Sequence, residues 1–389
     1  MTLSLSRRAA LWEDRTAVVD VDADRRVSYA DLESEADAMA RRLSALGVGP
    51  GDAVGVVSRN RVETLALLFA VRRLGAIFAP ISHRLTPATV EGPLETIDPE
   101  VVAHEEAQRD LVRSLPDERT HSFEDVGRHE GSDYERIERD PEDALLYLHT
   151  DEGERVVEFP ARAVEWNCIT ATAAWGLGRG DCAPTLLPLS DAGGLLGLAL
   201  PLLYVGGRSV VLRAFDPEDA LASVADEEAT VLLGGATEYR ELVESDDFGE
   251  AGLGSVEWVA SRSALADDAR DELARRAPVV RTYGGVETGP NNLYVPPERD
   301  DDAESATADR VGRPFPDCEV RVAGGEGEAE KAPDAEIGEL QFRGPVTPRG
   351  YLAEEGGTDE FPEWVSAGDR GYRDEGEYYL SGDERSDKD

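Results

Sequence analysis

One short segment of the chain combines an aromatic ring, glycines and a carboxylate in a way that suits binding of a small ligand. It reads Tyr283-Gly284-Gly285-Val286-Glu287-Thr288, within residues 281–289 that predict a strand running into a glycine turn. A glycine turn can approach a ligand closely, and a carboxylate suits a hard cation such as Mg²⁺. The alternative is that the glycines only make a turn and the carboxylate is solvated.

Cysteines and histidines give no sign of a second kind of site. The cysteines are odd in number and far apart: Cys168, Cys182 and Cys318. The histidines form no ligand-spaced cluster: His83, His104, His121, His129 and His149. The sequence therefore predicts neither a disulfide framework nor a zinc site.

The charge of the chain is strongly negative. Its 389 residues include 81 Asp and Glu against 40 Lys and Arg, and Lys331 and Lys388 are the only lysines. The resulting net charge of -41 would destabilise a compact state in ordinary buffer, whereas at about 1 M salt the Debye length falls to about 3 Å. An apolar content of 41% argues against disorder. We predict a halophilic protein; an acidic interaction protein is the alternative.

The sequence also limits location and partners. No contiguous basic segment could neutralise phosphates, so a nucleic-acid partner is not expected. No apolar run approaches the roughly 18 residues of a membrane span, and the first residues do not resemble a signal peptide. A cytoplasmic location is predicted.

The first half of the chain alternates strand and helix patterns. Ser28 and Asp31 form a predicted capping box at the start of a helix. Residues 54–58 and 76–82 are short apolar strands, and residues 62–74 between them have an apolar helical face. This βαβ order predicts a parallel sheet.

After Pro290 the pattern changes to short alternating strands separated by Gly- and Glu-rich turns, which predicts antiparallel sheet. The predicted fold class is therefore α/β, with two parallel-sheet subdomains and a small antiparallel β-barrel. The predicted units are an α/β body at 1–310 with an internal boundary near 165–190, a barrel at 311–382, and a truncated hinge at 383–389.

Seven segments, in this order, resemble the AMP-binding, acyl-adenylate-forming superfamily of acyl-CoA synthetases and luciferases. They are YADLESEADAMARRLSALGVGPGDAVGVVSRN, LFAVRRLGAIFAPISHRLTPA, LPLSDAGGLLGLALPLLYVGG, TYGGVETGP, VGRPFPDCEVRV, GELQFRGPVTPRGYL and WVSAGDRGYRDEGEYYLSGDERSDKD. The resemblance implies conversion of a carboxylate and ATP to an acyl-adenylate, which a thiol, usually coenzyme A, captures. It covers the large N-terminal domain and not the small mobile C-terminal domain.

The resemblance assigns roles to several residues. Tyr283 would stack on adenine beside Gly284, and Glu287, followed by Thr288, would help to hold Mg²⁺. Asp369 would accept hydrogen bonds from the ribose hydroxyls. These roles imply AMP or ATP with Mg²⁺ as cofactors, bound weakly, and leave coenzyme A possible.

Other parts of the family pattern are altered. The family's phosphate loop, Tyr-Thr-Ser-Gly-Thr-Thr-Gly-x-Pro-Lys-Gly, corresponds to residues 147–156, which contain one glycine, no lysine and three carboxylates. The degenerate loop includes Thr150, Asp151, Glu152, Gly153 and Arg155. One carboxylate 4 Å from a phosphate oxygen costs about 1 kcal/mol in water and about 4 kcal/mol at an effective dielectric of 20. Arg155 stands in only partly for the lysine, so tight unassisted ATP binding is not expected.

Three further departures agree with this expectation. Val286 replaces a threonine that would donate to the α-phosphate. Ser190 and Asp191 replace an aromatic–histidine pair that borders the acyl pocket. Asp383 and Glu384 stand where an arginine would lie near the ribose, and neither lysine of the chain matches the adenylation lysine of the mobile domain.

Three functional hypotheses follow. The first is a homologue with little or no ligase activity of its own, a pseudoenzyme, that keeps a cleft for a carboxylate or acyl-adenylate or serves a homologous ligase as a partner. The second is an active carboxylate–CoA ligase whose C-terminal lysine domain is a separate chain, and the third is a decaying gene product. Residues 193–198, 234–237 and 284–286 are expected to line the acyl pocket.

Overall fold

The computed structural model describes residues 3–297, 309–324, 336–353 and 356–381. Lys331, Lys388, Asp383 and Glu384 lie outside the described residues, as does the predicted hinge.

The first sheet contains the predicted βαβ unit. Its strands are β3 (Ala53–Val57), β4 (Ile77–Ile81), β5 (Val101–His104), β6 (Thr120–Ser122), β7 (Ala144–His149), β8 (Val156–Pro160), β18 (Gly350–Leu352) and β19 (Thr358–Glu360). They lie in the order β19-β18-β8-β7-β4-β3-β5-β6. Strands β3 to β7 pair in parallel, whereas β7–β8, β8–β18 and β18–β19 are antiparallel.

The second sheet begins parallel and continues antiparallel. Its strands are β11 (Val231–Gly234), β12 (Trp258–Ser261), β13 (Val279–Gly285), β14 (Gly289–Tyr294), β15 (Arg310–Pro314), β16 (Glu319–Ala323), β17 (Gly338–Arg343), β20 (Val365–Asp374) and β21 (Glu377–Leu380). Strands β11 to β13 are parallel, and the order continues as β14-β15-β21-β20-β17-β16 in antiparallel pairing.

The third sheet is small and joins the first residues of the chain to its middle. Strands β1 (Thr16–Asp20), β2 (Arg25–Ser28), β9 (Cys182–Pro184) and β10 (Arg208–Val211) lie in the order β2-β1-β10-β9. The β1–β10 and β10–β9 pairs are parallel, and β1–β2 is antiparallel.

The helices of the described residues cover the sheets. They are α1 (Leu5–Leu11), α2 (Tyr29–Ala45), α3 (Val62–Leu74), α4 (Glu91–Ile97), α5 (Phe123–Arg128), α6 (Ala161–Trp175), α7 (Leu200–Val205), α8 (Pro217–Asp226), α9 (Ala236–Glu244) and α10 (Asp267–Ala274). The predicted capping box is present at α2, where Ser28 Oγ accepts from the Asp31 N–H and Asp31 accepts from the Ser28 N–H. Helix α3 is almost entirely buried because it packs between the first sheet and α2.

The predicted α/β class and its parallel sheets are confirmed. The antiparallel strands do not all belong to one layer, because β18 and β19 extend the first sheet while the others extend the second. The domain boundaries stay predictions. None of the described helices is long and apolar enough to cross a membrane.

Candidate functional site

A cleft of about 570 Å³ opens where parallel strands from two sheets end. Ser82 follows β4, Thr150 follows β7, Arg262 follows β12, and residues 284–287 end β13 and form its turn. Ligands of α/β proteins bind outside the carboxyl ends of parallel strands, so this position suits a binding site. Four residues predicted to bind cofactor or phosphate line the cleft: Thr150, Asp151, Gly284 and Glu287.

The turn after β13 requires glycine. A Cβ atom on Gly284 would lie 2.5 Å from the carbonyl oxygens of Gly289 and Pro290. Thr288 is fully buried, and its hydroxyl donates to Asn292 Oδ1 at 2.6 Å and accepts from the Gly285 N–H at 3.3 Å. Thr288 therefore stabilises the turn through hydrogen bonds on its buried side. Its side chain is not among those that line the cleft.

The structure joins two predicted site residues that are 86 positions apart. The Tyr283 hydroxyl donates to Asp369 Oδ2 at 2.6 Å, and the Tyr283 ring lies 5.8 Å from the ring of Phe342. Burial and the neighbouring Asp369 carboxylate raise the pKa of Tyr283 well above its ordinary value. Tyr283 adjoins the cleft through its chain neighbour Gly284, and Asp369 is linked to it by this hydrogen bond, although neither side chain lines the cleft.

Glu287 occupies an electrostatically unfavourable place. Burial raises the pKa of Glu287, and the negative charge of Asp151 raises it further. The Tyr351 hydroxyl donates to Glu287 Oε1 at 3.5 Å, and the Arg155 guanidinium stacks 4.5 Å from the centre of the Tyr351 ring. Arg155 thus lies close enough to offset part of the carboxylate charge without an ion pair.

The degenerate loop is a tight turn between β7 and β8. The Thr150 N–H donates to the Arg155 carbonyl at 2.9 Å, and the Thr150 hydroxyl accepts from the Arg155 N–H at 3.2 Å. The Gly153 N–H donates to the Thr150 carbonyl at 2.8 Å. These backbone donors are satisfied within the turn, so they are not aimed at a ligand.

The three loop carboxylates are not equivalent. Asp151, Glu152 and Glu154 are all exposed, but only Asp151 lines the cleft. Of the three carboxylates that the sequence analysis set against phosphate binding, Glu152 and Glu154 are therefore not part of the cleft lining. The other carboxylates in the lining of the cleft are Asp191, Glu238 and Glu287.

At the position of the expected aromatic–histidine pair, Asp191 caps a helical segment. Asp191 Oδ1 accepts from the Gly193 and Gly194 N–H groups, at 2.6 and 3.3 Å, at the start of a π-helical segment, Gly193–Ala199. Ser190 and Asp191 both line the cleft. Of the three ranges expected to line the acyl pocket, only residues 284–286 line the cleft.

The sequence interpretation missed several cleft residues. His149 is buried, donates from Nδ1 to the Thr150 carbonyl at 2.6 Å and accepts at Nε2 from the Ser82 N–H at 2.9 Å. Arg84 and Arg262 supply positive charge to the cleft wall, and Glu238 adds a carboxylate. Ser82 is the last residue of the predicted strand at 76–82, and Arg262 directly follows β12; a position at the carboxyl end of a strand was the signal that could have identified them.

The residues of the cleft suit Mg²⁺ only when a bound ligand supplies further oxygen atoms to the ion. The charge of Asp151 disfavours ionisation of Glu287, and a cation between them would relieve that repulsion. Within the described ranges, no group of three His, Cys, Asp or Glu side chains could hold a metal ion. Mg²⁺ commonly uses one or two carboxylates and takes its other ligands from water and phosphate, and Glu287 fits that use.

Comparisons with known proteins agree with this geometry. The AMP-binding enzyme family matches residues 5–154 and 155–352. Indoleacetate–CoA ligase of Aromatoleum aromaticum is 28% identical over 401 residues, covering 97% of this chain and 76% of that protein. The inhibitor-bound N-terminal domain of FACL13 from Mycobacterium tuberculosis superposes with a TM-score of 0.87 at 21% identity, covering 97% of this chain and 98% of that one.

A further solved structure is O-succinylbenzoate coenzyme A synthetase of Bacillus subtilis in complex with ATP and magnesium ion. It superposes with a TM-score of 0.84 at 21% identity and covers 97% of this chain and 78% of that one. Identities this low show the fold alone, whereas the family match extends over most of the chain. The protein therefore belongs to the AMP-binding enzyme family and is a homologue of the acid–thiol ligases that make acyl-CoA.

Proposed function

We propose that the cleft binds AMP or an acyl-adenylate, and that the chain by itself forms an adenylate from ATP slowly or not at all. The observation that carries this proposal is the closed turn at residues 150–155, in which the N–H groups of Thr150, Gly153 and Arg155 are bonded within the turn and Asp151 lines the cleft. A phosphate cradle needs the reverse arrangement, with free N–H groups aimed inward.

The electrostatics of the cleft support the same proposal. The β- and γ-phosphates of ATP would add charge next to Asp151 and Glu287, at a cost of about 1 to 4 kcal/mol for each close contact. Val286 supplies no hydroxyl donor at the turn. AMP or an acyl-adenylate carries far less charge than ATP, so the penalty for its binding is smaller.

The residues that would hold such a ligand are retained. Tyr283 would contact the adenine, Asp369 would accept the ribose hydroxyls, and Gly284 would let the backbone approach the ligand. Mg²⁺, held by Glu287 when bound, would neutralise phosphate charge. Relatives of known structure that bind AMP or ATP with magnesium have the same fold.

Two measurements in several molar KCl test the proposal. We expect isothermal titration to show AMP binding, and carboxylate-dependent ATP–pyrophosphate exchange by the chain alone to remain near background. Asp151→Ser should strengthen ATP binding about fivefold or more. The control is Glu152→Ser, which removes the same charge from the same turn outside the cleft lining and should leave the ATP affinity almost unchanged. Robust exchange by the unaltered chain would overturn the proposal.

An active ligase with a separately encoded C-terminal lysine domain is the second candidate. The position of Arg155, stacked on Tyr351 beside Glu287, favours it because a cation remains close to the expected phosphate position. Adding a small lysine-bearing domain from a neighbouring gene should then produce exchange that Arg155→Ala removes. Coenzyme A would be the expected thiol in that case.

The acidic composition supports a further part of the proposal, namely that the protein works in the concentrated salt of a halophile's cytoplasm. A net charge of -41 is screened effectively only at high ionic strength.

A further inference from the structure

Arg262 is one of the residues that line the cleft. It is the first residue after β12, and its side chain is half-buried. Its Nη2 donates to the Gly284 carbonyl at 2.9 Å and its Nη1 to the Pro290 carbonyl at 3.5 Å. The guanidinium is therefore tied to the turn that carries Tyr283 and Glu287.

The stem of Arg262 lies directly against the π-helical segment. A Cβ atom on Gly193 would lie 2.6 Å from Arg262 Cδ and would also overlap Nε and Cζ. The side chain thus runs from the start of that segment to the turn after β13. It fills the gap between the two elements at the back of the cleft.

A small cavity adjoins this gap, because its lining includes Gly194, the chain neighbour of the Gly193 that Arg262 contacts. The neighbouring apolar cavity shares Leu187 with the cleft, is lined in part by Leu198, Leu202 and Leu233, and has a volume of only about 10 Å³. A cavity of that size holds at most about one water molecule. A Cβ atom on Gly197 would lie 2.9 Å from Leu233 Cδ2, so the π-helical segment already packs tightly on β11.

We infer that Arg262 closes the apolar interior to the acyl group and restricts the ligand to short acids. This inference rests on the proposed function, because it concerns the acyl part of the same adenylate. A long hydrocarbon chain would have to displace the Arg262 side chain that fills the gap and push the π-helical segment away from Leu233. A short acid fits within the cleft itself, where Ser190, Asp191 and Glu238 make the lining polar.

The test uses acyl-sulfamoyl adenosines, which are stable analogues of acyl-adenylates, with two-carbon and eight-carbon acyl groups. Their affinities for the full chain are measured by isothermal titration in several molar KCl, beside that of AMP. We expect the two-carbon analogue to bind at least tenfold more tightly than the eight-carbon one. Arg262→Ala should reduce this ratio to about threefold or less.

Arg262→Met is the matched control, since it keeps the length of the side chain and removes its charge. It should still favour the two-carbon analogue, whereas a ratio as low as that of Arg262→Ala would show that charge rather than bulk sets the limit and would overturn the inference. The chain-length ratio of the unaltered chain tests the inference even if Arg262→Ala fails to fold.

The outcomes separate the inference from the proposed function. If AMP and the two-carbon analogue bind and the eight-carbon analogue binds equally well, only the chain-length restriction is overturned. If none of the three ligands binds, the proposed function fails and the inference fails with it.

Discussion

The surroundings of Glu287 destabilise the ionised form of its carboxylate. Burial raises its pKa, and the negative charge of Asp151 adds to the effect. Because the folded state holds this proton more tightly than the unfolded chain, the free energy of unfolding falls as pH rises from 4.5 through the folded-state pKa. A residue that lowers stability in this way is typical of a binding site, where a ligand relieves the cost.

Replacing this carboxylate should therefore stabilise the protein. We expect Glu287→Gln to raise the free energy of unfolding at pH 7.5 by up to about 1 kcal/mol, with the gain disappearing near pH 4. Urea unfolding at the two pH values checks this, with the exposed Glu152→Gln as control. An equal gain at both pH values would contradict the electrostatic explanation.

His149 should have the opposite kind of pH dependence. Burial lowers its pKa below 6.5, and its neutral form accepts the Ser82 N–H. Below pH 6.5 the unfolded chain binds more protons than the folded state, so the free energy of unfolding falls as pH falls. The contribution of His149 is fully present above that pH.

We expect His149→Gln to cost about 1 kcal/mol at pH 7.5 and to flatten the loss of stability between pH 6.5 and 5. Thermal unfolding across this interval measures both effects. His129→Gln is the control, because His129 is exposed. A pH profile unchanged by His149→Gln would show that other groups, such as the half-buried His83, account for the slope.

In the proposed function, Tyr283 orients Asp369 through its hydroxyl and offers its ring to the adenine. We expect Tyr283→Phe to weaken AMP binding about three- to tenfold, since the ring remains but the hydrogen bond to Asp369 is lost. Tyr283→Leu should weaken it further because the stacking surface is also lost. Titration of AMP into both variants measures the difference, and equal affinity of the Phe variant and the unaltered chain would refute the orienting role.

At the scale of elements, the turn between β7 and β8 contributes Thr150 and Asp151 to the lining of the cleft. Gly153 has φ +77°, and a Cβ atom there would lie 2.9 Å from the Thr89 carbonyl oxygen. The turn is thus held against the segment that precedes α4. Its shape, and not only its composition, brings Asp151 into the cleft lining while Glu152 stays outside it.

We expect Gly153→Ala to destabilise the protein by about 2 kcal/mol, because the substitution adds a steric clash to the backbone strain. Gly51→Ala is the matched control, since Gly51 has φ +87° but a Cβ atom there would meet no other atom within 4 Å. It should cost about 1 kcal/mol. Equal losses in urea unfolding would show that contact with Thr89 is unimportant.

At the scale of the whole molecule, the net charge of -41 makes stability depend on salt. We expect the melting temperature to rise steeply between about 0.1 and 1 M KCl, as the Debye length falls from about 10 to 3 Å, and to level off above that. Thermal scans across KCl concentrations measure this. A rise that continues linearly to about 4 M would indicate hydration of the acidic surface instead, and a melting temperature independent of salt would contradict the halophilic prediction.

Local patterns in the sequence were sufficient to predict the elements. The capping box at Ser28 and Asp31, the βαβ unit around α3, and the glycine turn at Gly284 depend on hydrogen bonds and periodicities within a few residues. Such interactions can be recognised without knowing what else is nearby. The order of seven motifs added the family, and with it the pairing of Tyr283 and Asp369 in one site.

The sequence by itself thus determined the charge, the α/β class and the altered chemistry of the phosphate loop. Only the tertiary structure decided that Asp151 alone of the loop carboxylates lines the cleft, that β18 and β19 complete the first sheet, and that Arg262 packs against Gly193. These facts depend on contacts between segments far apart in the chain. Their geometry is set by how whole sheets pack, which no short pattern of residues encodes.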